Sequence, residues 1–161
     1  MFVDLLRESH DDGVVIAVSD VLAVIASRSK HDQLRIVQLG TLDVLHGFIV
    51  ASRSPEVRRA MAWTIGLVVA NNTNIQHDIE KTIDGLICAL DREGVHQNYL
   101  HALYACMRNH RGNTRYIQKK MPIEKLREIE LNPECTVFVN LICENIELQR
   151  HTNNSSSCTN T

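Results

Sequence analysis

The chain has no glycine-rich phosphate loop, no Cys-x-x-Cys pair and no apolar run near the roughly twenty residues that cross a bilayer. Each absence removes a class of function. Without a phosphate loop, the sequence shows no sign of holding a nucleotide itself, since such loops gather several backbone N–H groups around one phosphate. The longest early apolar run is Val14 to Val18, and Met1 to Glu8 carries acids where a secretory signal has a basic start. The five cysteines, Cys88, Cys106, Cys135, Cys143 and Cys158, are odd in number and fit a reducing compartment better than a disulfide framework. Four of them read as core fillers. With aromatics at only 4%, the core is expected to pack helix on helix through aliphatic side chains. A net charge of −2 lacks the positive field that nucleic acid or an acidic membrane calls for. The sequence thus predicts a cytoplasmic chain with neither of those partners.

What is present is helical periodicity. Val18, Val21, Leu22 and Ile25 follow i, i+3, i+4, i+7, and so do Leu100, Leu103, Tyr104 and Met107. No strand alternation competes with it. The spacing predicts helices near 13–27, 32–38, 41–52, 56–70, 74–80, 83–91, 96–108, 113–120, 123–130 and 134–147. Three helix starts also align: Thr41-Leu42-Asp43, Thr82-Ile83-Asp84 and Pro122-Ile123-Glu124 lie about forty residues apart, the period of armadillo and HEAT units. Threonine is expected there as a cap for first-turn amides, and proline as a first helical residue. The predicted fold is all-α: an armadillo/HEAT-like right-handed superhelix of about three and a half repeats over 1–150, with a disordered polar tail at 151–161.

Catalytic constellations are thin. Eight histidines are scattered, and His96 and His101, five apart on one helix, point to different faces rather than toward one metal. Cys106 and His110 have the spacing of a thiol and its base, but a cysteine among Leu103, Ala105 and Met107 reads as packing. The expectation is a non-enzyme with no cofactor and no metal. Trp63 is expected in the core and Gly66 at a close helix approach. Asn71, Asn72 and Gln76, between two helices, are expected to pair with backbone groups of the turn.

The order Glu56 to Gly66, then Ala70-Asn71-Asn72-Thr73-Asn74-Ile75-Gln76, Asp84-Gly85-Leu86, Ala102-Leu103-Tyr104-Ala105 and Met107-Arg108-Asn109-His110, resembles the armadillo-type nucleotide-exchange factors of 70-kDa heat-shock chaperones. The resemblance spans roughly residues 14–147, and the third repeat departs from it by about one helical turn lost between Ala105 and Arg108. It implies a cytosolic co-chaperone, monomeric, that clasps the chaperone's ATPase domain and speeds ADP release without covalent chemistry. The segment match carries over Arg108 and Asn109 as partner-binding residues. In an armadillo unit the third helix lines the concave face, which adds Asp43, His46, Asp84, Glu124, Arg127 and Glu128. Each of these is equally what a solvated helix face carries, and Arg108 suits a helix-end cap as well as a contact. The alternative function is a generic armadillo or HEAT protein-interaction adaptor.

Overall fold

Short polar caps divide the chain into helices. The computed structural model describes residues 2–77, 79–122, 124, 126 and 133–156. Its helices are α1 Phe2–Glu8, α2 Asp12–Arg28, α3 Lys30–Gln38, α4 Thr41–Ala51, α5 Pro55–Val69, α6 Thr73–Gln76, α7 Glu80–Glu93, α8 Gln97–Met107, α9 Arg111–Lys120 and α10 Pro133–Ser156. No strand occurs among the described residues. Side chains start the helices by accepting an amide of the first turn. Asp11 Oδ1 takes Val14 N–H at 3.0 Å, Ser29 Oγ takes Asp32 N–H at 3.1 Å, and Ser54 Oγ takes Val57 N–H at 3.4 Å just before Pro55. Two histidines do the same through Nδ1: His96 for Asn98 N–H at 3.2 Å and His110 for Asn113 N–H at 3.1 Å.

Several boundaries differ from expectation for physical reasons. Helix α1 has no counterpart among the expected helices; it forms because Val3 and Leu6 are buried against α2 and α4. The helix expected at 74–80 is only the four-residue α6, since the chain turns extended at His77 and restarts at Glu80. Thr41 does not cap amides. Its hydroxyl instead donates to Ile36 O at 2.7 Å, closing the end of α3, while Gly40 at φ +73° occupies the cap position. Thr82 is buried inside α7. Of the helix expected at 123–130, Glu124 and Leu126 are helical and the other residues lie outside the described set. Helix α10 continues beyond 147 to Ser156, into the tail expected from 151, because extending a formed helix adds one bond for each residue fixed. Residues 157–161 and Cys158 lie outside the described residues.

The helices pack in two rows. Helices α2, α5, α8 and α10 lie each against the next, while α4 sits on α5 and α7, and α7 on α8. The core between them is aliphatic as expected, with Leu45, Ile49, Met61, Ile65, Ile83, Leu86, Leu100 and Leu103 among its buried side chains. Cys106, Cys135 and Cys143 are buried with it, but Cys88 faces outward from α7 and is exposed.

The joints repeat. Helix α5 ends in a turn with Ala70 at φ −57°, ψ 122° and Asn71 at φ +56°; α8 ends with Arg108 at φ −59°, ψ 123° and Asn109 at φ +63°. Both are type II turns, which need a residue tolerant of the left-handed region at their third position, and asparagine supplies it. Counting from these turns (109−71=38), Trp63 on α5 corresponds to His101 on α8. Helix α5 has 15 residues and α8 has 11, and the shared register from Trp63 and His101 to the turns puts this difference at the start of α8.

Amide side chains clip helices that are distant in sequence to one another. Gln33 in α3 donates Nε2 to Leu67 O at 2.9 Å and Ala70 O at 3.2 Å. Gln76 in α6 donates Nε2 to Ala105 O at 2.7 Å and Arg108 O at 3.0 Å. These carbonyls at helix ends have no partner in their own helix, so each glutamine satisfies groups that burial would otherwise leave unpaired. Asn72 donates to Lys30 O and Gln33 Oε1, and Asn113 donates to Gln76 O and Cys106 O. Asn72 and Gln76 thus pair with backbone as expected, but with that of other helices rather than of their own turn.

Candidate interaction surface

Trp63 is 39% exposed rather than in the core. Helix α5 has neighbours on both sides, so Val57, Met61, Thr64, Ile65, Val68 and Val69 fill its buried face. That leaves Trp63 on the remaining stripe, with Ala60, Leu67 and Ala70 half-buried beside it. The indole lies against His101 of α8 with ring centroids 4.5 Å apart, and His101 meets Phe138 of α10 at 5.5 Å. Three rings from three adjacent helices therefore form one row. Periodicity alone did not show this, because a tryptophan at helical spacing reads as core until both faces of its helix are known to be covered.

Glycine sets the depth of the row. A Cβ at Gly66 would overlap the His101 imidazole and lie 3.3 Å from Cα of Ala102. The expected close approach is there, and the ring itself fills it. Burial holds His101 below the ordinary histidine pKa, so its neutral form is favoured. The second row repeats the arrangement: His46 of α4 lies over Gly85 of α7, where a Cβ would come within 2.9 Å of the ring. Its pKa is lowered by burial first and by Lys81 next, against an opposing pull from Asp43.

Beside the aromatic row lies a cavity of about 110 Å³ lined by Ala70, Asn71, His101, Tyr104, Ala105, Arg108 and Phe138. Arg108 is exposed at its rim, its guanidinium 6.0 Å from the centre of the Tyr104 ring. Asn109 is exposed next to it but serves the turn through its left-handed backbone. The other expected contact residues lie elsewhere. Asp43 is exposed at the lip of a 500 Å³ hollow with Leu6, Arg7, Val44 and Phe48. Asp84 is engaged within the chain, accepting from Tyr116 Oη at 2.9 Å and pairing with Lys120 at 3.3 Å. Glu124 is exposed, and Arg127 and Glu128 lie outside the described residues. The structure places Asp43, His46 and Asp84 on the α4–α7 row and Arg108 with the aromatic row, two separate faces.

One buried charged cluster is structural. The Arg58 guanidinium bonds Glu93 and the Ser52 carbonyl, and Arg59 reaches the other Glu93 oxygen at 3.5 Å. Arg58 and Glu93 side chains are only 6% and 7% exposed. The Tyr99 hydroxyl is buried against them, its pKa raised by burial and then by the Glu93 carboxylate. Cys106 is wholly buried, its thiol pushed up to about 12 by burial, so it packs and does not ionise near neutral pH. Among the described residues, no group of three His, Cys, Asp or Glu is placed to hold a metal.

No protein-family model matches the chain, and neither does any curated protein or solved structure.

Proposed function

We propose that the chain is a protein-binding helical-repeat module of the cytoplasm. Its units stack as an armadillo- or HEAT-like right-handed superhelix of about three and a half repeats. The observation that carries this reading is the repeated joint: the same left-handed asparagine turn at Asn71 and Asn109, and the same glutamine clip from Gln33 and Gln76. Recurring joints of this kind fix each helix against the next and leave a rigid, continuous face for another macromolecule.

The partner proposed is the ATPase domain of a 70-kDa heat-shock chaperone, with this chain as its nucleotide-exchange factor. Support comes from the residue order around Arg58 to Gly66 and Arg108 to His110, and from the exposure of Arg108 beside an apolar cavity. The mechanism needs only differential binding. A partner that prefers the open ATPase lobes over the closed ones by a thousandfold, about 4 kcal/mol, speeds ADP release by holding the open form.

The test is stopped-flow release of a fluorescent ADP analogue from a cytosolic 70-kDa chaperone with and without the chain. Acceleration, lost in a folded Arg108→Ala variant, is the expected result. A well-folded chain that leaves release unchanged across several chaperones ends the exchange-factor reading and leaves a generic repeat adaptor.

A further inference from the structure

From Gly94 to Ile123 the sequence contains none of the chain's 19 Asp and Glu and five of its 17 Lys and Arg. This segment makes up α8 and α9, so a chain of net charge −2 concentrates positive charge on one pair of helices. Arg108, Arg111, Arg115 and Lys119 are all exposed. On α9, Arg111, Arg115 and Lys119 are spaced i, i+4, i+8 and share one helix face, and Arg108 caps the end of α8 three residues before Arg111. Lys120, the fifth, is paired with Asp84, and Arg115 is also engaged within the chain. On the other side of the aromatic row, toward His96, the charge is balanced: Arg58 and Arg59 meet Glu93, and the Glu134 carboxylate acts on His96. Positive charge therefore rises toward Arg108.

Arg108 also belongs to the cavity of about 110 Å³ whose walls are His101, Tyr104, Phe138, Ala70 and Ala105. A pocket of that size and lining takes one apolar side chain, next to a guanidinium that takes a carboxylate. We propose that the cavity beside the Trp63–His101–Phe138 row and the basic stripe from Arg108 to Lys119 together dock an acidic protein segment, with one apolar side chain in the cavity and its carboxylates along α9. This rests on the reading of the chain as a protein-binding module, and not on which protein is bound. Nucleic acid is the less favoured occupant of a basic, aromatic face. The rings here are tilted against one another at 33° and 66° rather than set in parallel as successive bases stack, and the remainder of the chain is acidic.

Trp63 is the only tryptophan in the chain and so reports on this face alone. Its emission is followed in the full chain during titration with four probes. These are a peptide Glu-Asp-Leu-Phe-Glu-Glu-Asp, the same peptide with serine for leucine and phenylalanine, a lysine-for-acid version, and an oligothymidylate. Saturable change with the first peptide is expected, weakened about tenfold by loss of its apolar residues and about tenfold by Arg108→Glu with Arg111→Glu. Affinity should also fall as salt is raised, since the stripe is solvent-exposed. Far-UV circular dichroism checks that the double variant is folded, and Lys119→Glu provides a second, milder variant on the same stripe. Equal or tighter binding of the lysine peptide, a response to oligothymidylate alone, or acidic-peptide binding indifferent to both charge variants overturns the proposal. Acidic-peptide binding without chaperone nucleotide release removes the exchange reading and keeps this one; exchange activity that survives Arg108→Glu with Arg111→Glu, with no peptide response, does the reverse.

Discussion

The imidazole of His101 occupies the space that Gly66 leaves on the neighbouring helix, and a Cβ at Gly66 would overlap it. Gly66→Ala is therefore expected to destabilise the fold by about 1–3 kcal/mol, the usual cost of overfilling a packed contact. A Cβ at Gly85 would crowd the His46 ring at 2.9 Å and otherwise make ordinary contact with Val50 at 3.7 Å. Combined with His46→Ala, Gly85→Ala should be less destabilising than the two single changes summed, whereas His101→Ala should recover only part of the Gly66→Ala loss because Ala102 backbone also stands close. Urea unfolding of the four single and two double variants, followed by circular dichroism, measures both couplings; equal rescue in the two pairs contradicts the geometry.

Gln76 offers a second test. Replacing it with alanine leaves the Ala105 and Arg108 carbonyls without their donor, and Asn113 still needs the Gln76 carbonyl, which the substitution keeps. The expected loss is about 1–3 kcal/mol, from buried acceptors left unpaired. Gln76→Glu should be worse than alanine, since a carboxylate placed against two carbonyl oxygens has no proton to donate. A melting temperature unchanged by either substitution would show that the clip contributes nothing.

The Arg58–Glu93 pair is buried, so removing one partner strands the other. Glu93→Ala is expected to cost about 3–5 kcal/mol, far more than Asp4→Ala, which removes one partner of the exposed Arg7–Asp4 pair. Differential scanning calorimetry of the two alanine variants, Glu93→Ala and Asp4→Ala, gives the comparison directly. Similar midpoints for both would argue that water reaches the Arg58 cluster.

Acid should loosen the chain before its carboxylates titrate. His46, His96, His101 and His110 all have pKa values lowered, in each case by burial first. The unfolded chain therefore binds more protons than the folded one below the ordinary histidine pKa of about 6.5, and stability falls as pH drops through that range. Above it the stabilisation is fully present. His96 and His110 add a structural reason, since a protonated Nδ1 no longer accepts the Asn98 or Asn113 amide. The melting temperature should be flat from about pH 8 to 7 and decline from about pH 6.5 to 5, with a shallower decline in His101→Phe. A midpoint that stays level to about pH 5 contradicts the linkage.

Much of the helical outline was legible because apolar residues recur at helical spacing and proline marks several starts. The turns were partly legible. Asn71, Asn72 and Gln76 looked like backbone partners, but sequence cannot show that the carbonyls they meet belong to a helix about thirty to forty residues distant. Thr41 was misassigned because a hydroxyl next to a helix start serves equally to accept from the new helix or donate to the one before. The surface was the least legible part. Trp63 and His101 become a pair only through the register of two helices, and Asp84, a polar residue between apolar neighbours, spends its carboxylate on Tyr116 and Lys120. The acid-free stretch from Gly94 to Ile123 was visible in the letters alone, but an overall charge near zero conceals it.

The glutamine clips also impose an order in time. The amide of Gln33 has to wait for Leu67 and Ala70, and that of Gln76 for Ala105 and Arg108, so each unit emerges from synthesis with its final bonds unmade until its successor arrives. A chain cut between α3 and α5 leaves the Gln33 amide without the carbonyls it serves, and one cut between α6 and α8 leaves that of Gln76 in the same state.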